Sequence, residues 1–173
     1  MKLQSKKAKL SDLVIAIQTG FQVRGRSQLD SKGNYKLIQV KDTVRGFLYY
    51  IKSKKLDKIS IPEKNRKFMG KYLIQTNDLL YLSVLNFGAF LYSDTLENTV
   101  PMSHFYILRP NINLIDSYYL CWILNHKFLK PYIKRSAEGT TLPFISKQAL
   151  MSLQIPFPDR AVQKKIVELL KLR

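Results

Sequence analysis

The uneven distribution of charge constrains the fold of this chain more than any other feature. Between Tyr72 and Asn125 a single base, Arg109, stands against four acids in a stretch rich in Leu, Tyr and Phe. Residues 1–71 carry 18 basic and five acidic side chains, residues 126–147 five against one, and residues 148–173 five against two. Charged side chains are almost never fully buried unless paired, so the middle must supply the core and the flanks the surface. That surface is cationic: 29 Lys and Arg against 12 Asp and Glu give a net charge of +17 on 173 residues. A field of this sign favours nucleic acid or an anionic membrane as partner.

Several classes are excluded early. A chain that is 46% hydrophobic and 12% aromatic is too apolar for a disordered protein. One cysteine, Cys121, makes neither an internal disulfide nor a Cys-rich zinc site. The most hydrophobic stretch, Leu79–Tyr92, is interrupted by Ser83 and Asn86 and falls short of the ~18 apolar residues of a membrane span. Leu13–Ile17 is shorter than a secretory apolar run. A cytoplasmic protein with no membrane partner is expected.

Periodicity predicts strands first and helices after. Leu10–Leu13 reads as one helical turn and Val14–Gln18 as a strand, followed by a polar loop from Gln22 to Asn34. Strands are expected at Lys36–Val40, Phe47–Ile51, Lys58–Ile61 and Tyr72–Ile74. Leu79–Val84 and Phe87–Tyr92 read as a hairpin pair, and Ser103–Leu108 as a strand stopped by Arg109-Pro110. Asp116 or Ser117 caps a helix carrying Tyr119, Leu120, Ile123 and Leu124 on one stripe. A second helix, His126 to Ala137, is expected to kink at Pro131. Ser146–Leu150 reads as a helical turn and Leu153–Pro156 as a last strand. Asp159 starts a final helix on which Val162, Ile166 and Leu169 recur at spacings of four and three. About 14 residues of helix are marginal alone, so this one must pack on the body or on a partner. The fold class is α+β: β-rich, with mixed and antiparallel pairing, helices in the second half and a C-terminal helix of coiled-coil or dimerisation type.

Catalytic signatures are missing. His104 and His126 are far apart with no Cys or His cluster around them, and no Gly-rich phosphate loop or dinucleotide fingerprint occurs. A Mg²⁺-dependent nuclease needs convergent carboxylates, and acids such as Asp30, Asp42 and Glu63 would have to meet in space to supply them. Nucleic-acid features are stronger. Arg24, Arg26 and Gln28 share a loop, and Arg and Gln suit bidentate contacts with guanine and adenine edges. Lys41, Arg45 and Tyr49 follow, then Lys52, Lys54, Lys55, Lys64, Arg66 and Lys67, a density suited to phosphates. Arg135 precedes the Glu138-Gly139-Thr140-Thr141 loop, and Asn86 lies in the hairpin turn.

The second half also carries a family resemblance. Tyr72-Leu73-Ile74-Gln75-Thr76-Asn77-Asp78-Leu79-Leu80, followed by a strand and Gly88, resembles the turn and glycine loop of a target recognition domain in type I restriction–modification specificity subunits. Asn77 stands where that family usually has Gly, and Asn also accepts positive φ. Pro101–Pro110, the helix Tyr118–Asn125 and the loop Gly139–Ser146 are similar to successive segments of the same family. So is Leu153-Gln154-Ile155-Pro156-Phe157-Pro158 followed by Gln163-Lys164-Lys165-Ile166-Val167-Glu168.

The resemblance implies a non-catalytic subunit that recognises double-stranded DNA. Residues 1–157 would form the recognition domain and residues 158–173 the start of an interaction helix. It implies two kinds of protein partner: a methyltransferase subunit and a second specificity half, the latter another chain or a second copy of this one. No cofactor is expected on this chain; S-adenosylmethionine, ATP and Mg²⁺ would belong to partner subunits. The residues expected at DNA are Arg24, Arg26, Gln28, Lys41, Arg45, Tyr49, Lys64, Arg66, Lys67, Asn86, Arg135, Thr140 and Thr141. Val162, Ile166 and Leu169 are expected at a partner helix. Two alternatives stay open from the residues alone: a Mg²⁺-dependent nuclease, and a non-specific RNA- or ribosome-binding protein.

Overall fold

The computed structural model of the chain describes residues 6–23, 29–46, 48–52, 55–92 and 97–172. The apolar middle of the sequence becomes strand β7 (Leu79–Leu82), in which all four residues are buried. A strand with both faces buried must be covered twice. Leu79 and Tyr81 face one core, Leu80 and Leu82 the other, the period-two alternation of a pleated strand. β7 lies inside a six-stranded sheet in the order β2 (Val14–Thr19), β10 (Phe105–Pro110), β7, β8 (Gly88–Leu91), β5 (Tyr50–Ile51), β4 (Thr43–Val44). Neighbours are antiparallel except β5 and β8, which run parallel.

The first face is covered by helix α3 (Ser117–Asn125), through Tyr119, Leu120, Ile123 and Leu124. As expected, Asp116 caps it, accepting from the backbone N–H groups of Tyr118 and Tyr119 at 2.8 and 3.2 Å. The second face carries Phe90, Phe105 and Ile107, against which Ile38, Ile51 and Ile74 pack. Ile38 belongs to a smaller sheet, β6 (Asp57–Ile59), β3 (Tyr35–Ile38), β9 (Thr99–Pro101), with its own core of Tyr35, Leu37, Ile59, Ile61, Met69 and Val100. A two-stranded sheet pairs β1 (Lys6–Lys9) with β11 (Gln154–Phe157). Helices α1 (Leu10–Leu13), α2 (Glu63–Arg66), α4 (Lys130–Arg135), α5 (Lys147–Met151) and α6 (Arg160–Lys171) complete the described elements of α and β type. The expected α+β class and the C-terminal helix are both present.

Several local expectations are corrected. Tyr72–Ile74 is not a strand: Gly70–Tyr72 forms a 3₁₀ turn, and Ile74 makes one backbone bond, to Thr99 O at 3.1 Å. The strand at Phe47–Ile51 shrinks to Tyr50–Ile51, and Phe47 lies outside the described residues. β10 runs through Arg109 and Pro110 rather than stopping before them. A register shift between these two residues accommodates a proline that has no N–H to offer the ladder. Pro131 does not kink a long helix; it sits in the first turn of the short α4, where its missing N–H costs nothing. Strands β1, β4 and β9 have no counterpart among the expected elements.

Candidate nucleic-acid interface

Three segments distant in sequence meet at one end of the six-stranded sheet. β7 and β8 are joined by a turn through Ser83–Phe87, in which Leu85 has φ 54°. The Leu85 N–H donates to Pro143 O at 2.7 Å, and the Ile145 N–H donates to Ser83 O at 2.9 Å. Glu138 and Phe144 exchange backbone bonds at 2.8 and 2.9 Å, so loop 138–144 is closed on itself and stapled to the hairpin. Arg45 supplies the third segment. Its guanidinium donates to Asn86 O and lies 5.2 and 5.3 Å from the Tyr49 and Phe90 rings.

Between the hairpin and α4 lies a cleft of about 510 Å³, lined by Arg45, Asn86, Asn125, Lys130, Lys134 and Gly139 among others. Asn125 fixes its back wall: its amide donates to Ala89 O at 2.7 Å and its carbonyl accepts from Ala89 N–H at 3.0 Å. Of the expected DNA residues, Arg45, Tyr49, Asn86, Thr140 and Thr141 therefore gather here, the two threonines exposed on the stapled loop. Arg135 stands apart. It lies 5.5 Å from the Tyr132 ring and lines a separate cleft of about 300 Å³ with Lys7, Phe128 and Gln154.

A second cationic cluster surrounds α2. Lys64 and Arg66 lie on this helix rather than on a loop, Lys67 follows it, and all three are exposed. Beside them a cleft of about 400 Å³ is lined by Phe21, Gln22, Asn65, Phe68 and Tyr72. Lys67 and Lys71 sit over the Phe68 and Tyr72 rings, at 5.0 and 4.9 Å. Lys41 is already engaged within the chain, with Asp57 at 2.6 Å. That pairing raises the lysine above its ordinary value, and hydrogen bonds from Lys41 and Gln39 hold Asp57 below its own. Arg24, Arg26, Gln28 and Lys54 lie outside the described residues.

Asp30 accepts from Ser60 and from the Lys32 N–H, bonds that lower its pKa. Asp42 accepts from the Gln39 N–H, while burial pushes it upward, and Glu63 sits in the first turn of α2. Among the described residues no three His, Cys, Asp or Glu side chains converge. Cys121 is buried, its thiol pushed up to about 12 by desolvation, which leaves no reactive thiolate at neutral pH. Among the described residues no helix is long and apolar enough to cross a membrane.

The C-terminal helix docks one residue out of phase with the stripe read from sequence. Gln163, Val167 and Leu170 are the buried positions of α6, while Val162 and Ile166 are half-buried and Leu169 is exposed. Gln163 explains the shift. Its carbonyl accepts from the Asp116 N–H at 2.9 Å, and its amide donates to Leu114 O and Pro158 O at 3.2 and 2.9 Å. A glutamine that satisfies three backbone groups is buried at no net loss of hydrogen bonds, and hydrophobic spacing alone does not reveal it. Leu85 also escapes a reading of the sequence; the available signal is an apolar residue in a turn beside Asn86 and Gly88.

Comparison with known proteins converges on one group. The profile described as "Type I restriction modification DNA specificity domain" matches residues 4–172. The chain is 30% identical over 105 residues to the type I restriction enzyme HindI specificity subunit of Haemophilus influenzae, covering 58% of this chain and 23% of that protein. Its fold is similar to the type I restriction–modification S subunit from M. genitalium, at TM-score 0.63 and 16% identity, over 99% of this chain and 40% of the other. The HsdS subunit from Thermoanaerobacter tengcongensis is similar at TM-score 0.59 and 17% identity, over 96% and 36%. The chain thus spans less than half the length of each of these relatives. With a profile match running along nearly all of its residues, the chain belongs to the type I restriction modification DNA specificity domain family.

Proposed function

We propose that this domain recognises a short sequence in double-stranded DNA and directs partner subunits to it, without catalysis of its own. The family match over residues 4–172 carries the reading. The cationic cleft formed by Arg45, Lys130 and Lys134 beside Asn86 and loop 138–144 supports it. Arg24, Arg26 and Gln28 contact base edges in this reading, with Thr140 and Thr141 from the stapled loop. Lys64, Arg66 and Lys67 neutralise phosphates, and Arg45 holds Asn86 in place. Residues 1–157 form the recognition unit. Residues 158–173 begin the helix that meets a second specificity half through Leu169 and the exposed parts of Val162 and Ile166. A methyltransferase subunit is the other protein partner, and S-adenosylmethionine, ATP and Mg²⁺ act on partner subunits.

Selection from a randomised duplex pool at near-physiological salt, with the bound fraction sequenced, tests the reading. Enrichment of a short motif is the expected result. Binding that enriches nothing, both alone and with a methyltransferase subunit added, would reduce the chain to a generic cationic binder.

A further inference from the structure

The tip of the β7–β8 hairpin carries an apolar point that base-edge and phosphate contacts leave without a role. Leu85 is 55% exposed in a left-handed conformation that bulky residues rarely adopt and that Asn or Gly would take with less strain. The fold nevertheless holds it there, through the Leu85 N–H to Pro143 O bond and the bridge between Val84 and Phe144. Leu142, 54% exposed, and Phe144 stand on the loop to which this tip is stapled. Single exposed apolar residues need no explanation, but two converging tips that both present them do.

The surroundings identify the occupant. Arg45, Lys130 and Lys134 line the cleft beneath the tip, and Glu138 is the acid of the adjoining loop. An apolar point among cations matches a duplex, whose phosphates meet the charges while base faces and thymine methyls meet the leucine. A strained, non-glycine residue held by its neighbours is also characteristic of a functional position.

We propose that Leu85, backed by Leu142, is a wedge that enters the base stack of bound duplex DNA and opens one step. The proposal rests on the reading of this chain as a DNA-recognition domain. It adds a means of discrimination, since flexible pyrimidine–purine steps open more readily than others.

The test uses the whole chain and the most abundant duplex retained from the random pool, with 2-aminopurine placed at successive positions. The expected result is a several-fold rise in fluorescence at one step on binding. Leu85→Asn, which suits the left-handed backbone, should fold with an undiminished thermal midpoint and lose the rise; Leu142→Ala should diminish it. No rise at any step of a bound duplex, or a rise that survives Leu85→Asn, would overturn the wedge and leave DNA recognition standing. A Leu85→Asn variant unchanged on DNA but unable to bind a methyltransferase subunit would assign the tip to a protein interface, also against the proposal. A chain that retains no duplex would overturn the functional reading, and the wedge with it.

Discussion

Arg109 and Asp78 are joined by two parallel hydrogen bonds, Nε to Oδ1 at 2.9 Å and Nη2 to Oδ2 at 2.8 Å. The pair ties the turn before β7 to the end of β10. Its members differ in exposure: the Asp78 side chain is fully buried, whereas 28% of the Arg109 side chain reaches solvent. Losing the arginine strands a buried carboxylate, while losing the carboxylate leaves an arginine that can turn to water. Arg109→Ala is therefore expected to cost ~3–5 kcal/mol. Asp78→Asn should cost less, about 1–3 kcal/mol. Urea denaturation of both variants checks the order; an equal or reversed ranking would show that burial does not govern the pair.

The same turn contains Asn77, at φ 70°. The Ser117 hydroxyl donates to its carbonyl at 3.0 Å, fixing the start of α3 to this conformation. Asn77→Ala is expected to lose about 1 kcal/mol, because a Cβ without a local polar partner resists the left-handed region. Asn77→Gly should be close to neutral. Thermal midpoints of the three proteins decide the matter.

Cys121 gives a pH dependence whose sign is fixed. Its thiol donates to Ala89 O at 3.3 Å, and burial pushes its pKa up to about 12. In the unfolded chain a thiol titrates near ~8.5. Below that value both states hold the proton and stability is unaffected. Above it the unfolded state sheds a proton that the native state keeps, so stability falls as pH rises towards 12, by at most ~1.4 kcal/mol per unit from this group. Urea midpoints between pH 8 and 10 should decline, and the decline should flatten in Cys121→Ala. Iodoacetamide should label the native thiol only through unfolding.

On the proposed DNA-binding reading, the α2 lysines and Arg26 should behave differently. Lys64→Ala and Lys67→Ala are expected to weaken all sequences alike and to lower the slope of log affinity against log salt by ~0.9 for each phosphate no longer neutralised. Arg26→Ala should instead relax preference at one base pair, at ~1–3 kcal/mol. Titration of several duplexes at a series of salt concentrations separates the two; a sequence-dependent weakening at Lys64 would contradict its phosphate role.

What is legible in the sequence follows from what each element depends on. β7 and β8 can be read as short apolar runs bounded by turn residues, and α3 by the apolar stripe it buries. β1 cannot: Lys6-Lys7-Ala8-Lys9 has no apolar period and is a strand only because β11 pairs with its backbone. β9, three residues long, is likewise defined by its neighbour β3. Arg45 is legible as a cation and as a candidate for the site. Its contacts with Tyr49, Phe90 and Asn86 depend on segments brought together by the sheet, which no local pattern encodes.

The ladder between β1 and β11 pairs Lys6 with Phe157 and Lys9 with Gln154, nearly the full length of the chain apart. During synthesis β1 emerges well before β11, and until then its backbone lacks the partner with which it pairs in the folded domain. Closing so long a loop is entropically slow, and contacts of such sequence separation form late. The β7–β8 hairpin joins strands that are neighbours in sequence, whereas the β1–β11 ladder closes only once β11 has been made. α6 follows β11 directly in sequence and packs on α3, so the strand that closes this ladder and the helix that docks beside it reach the body together.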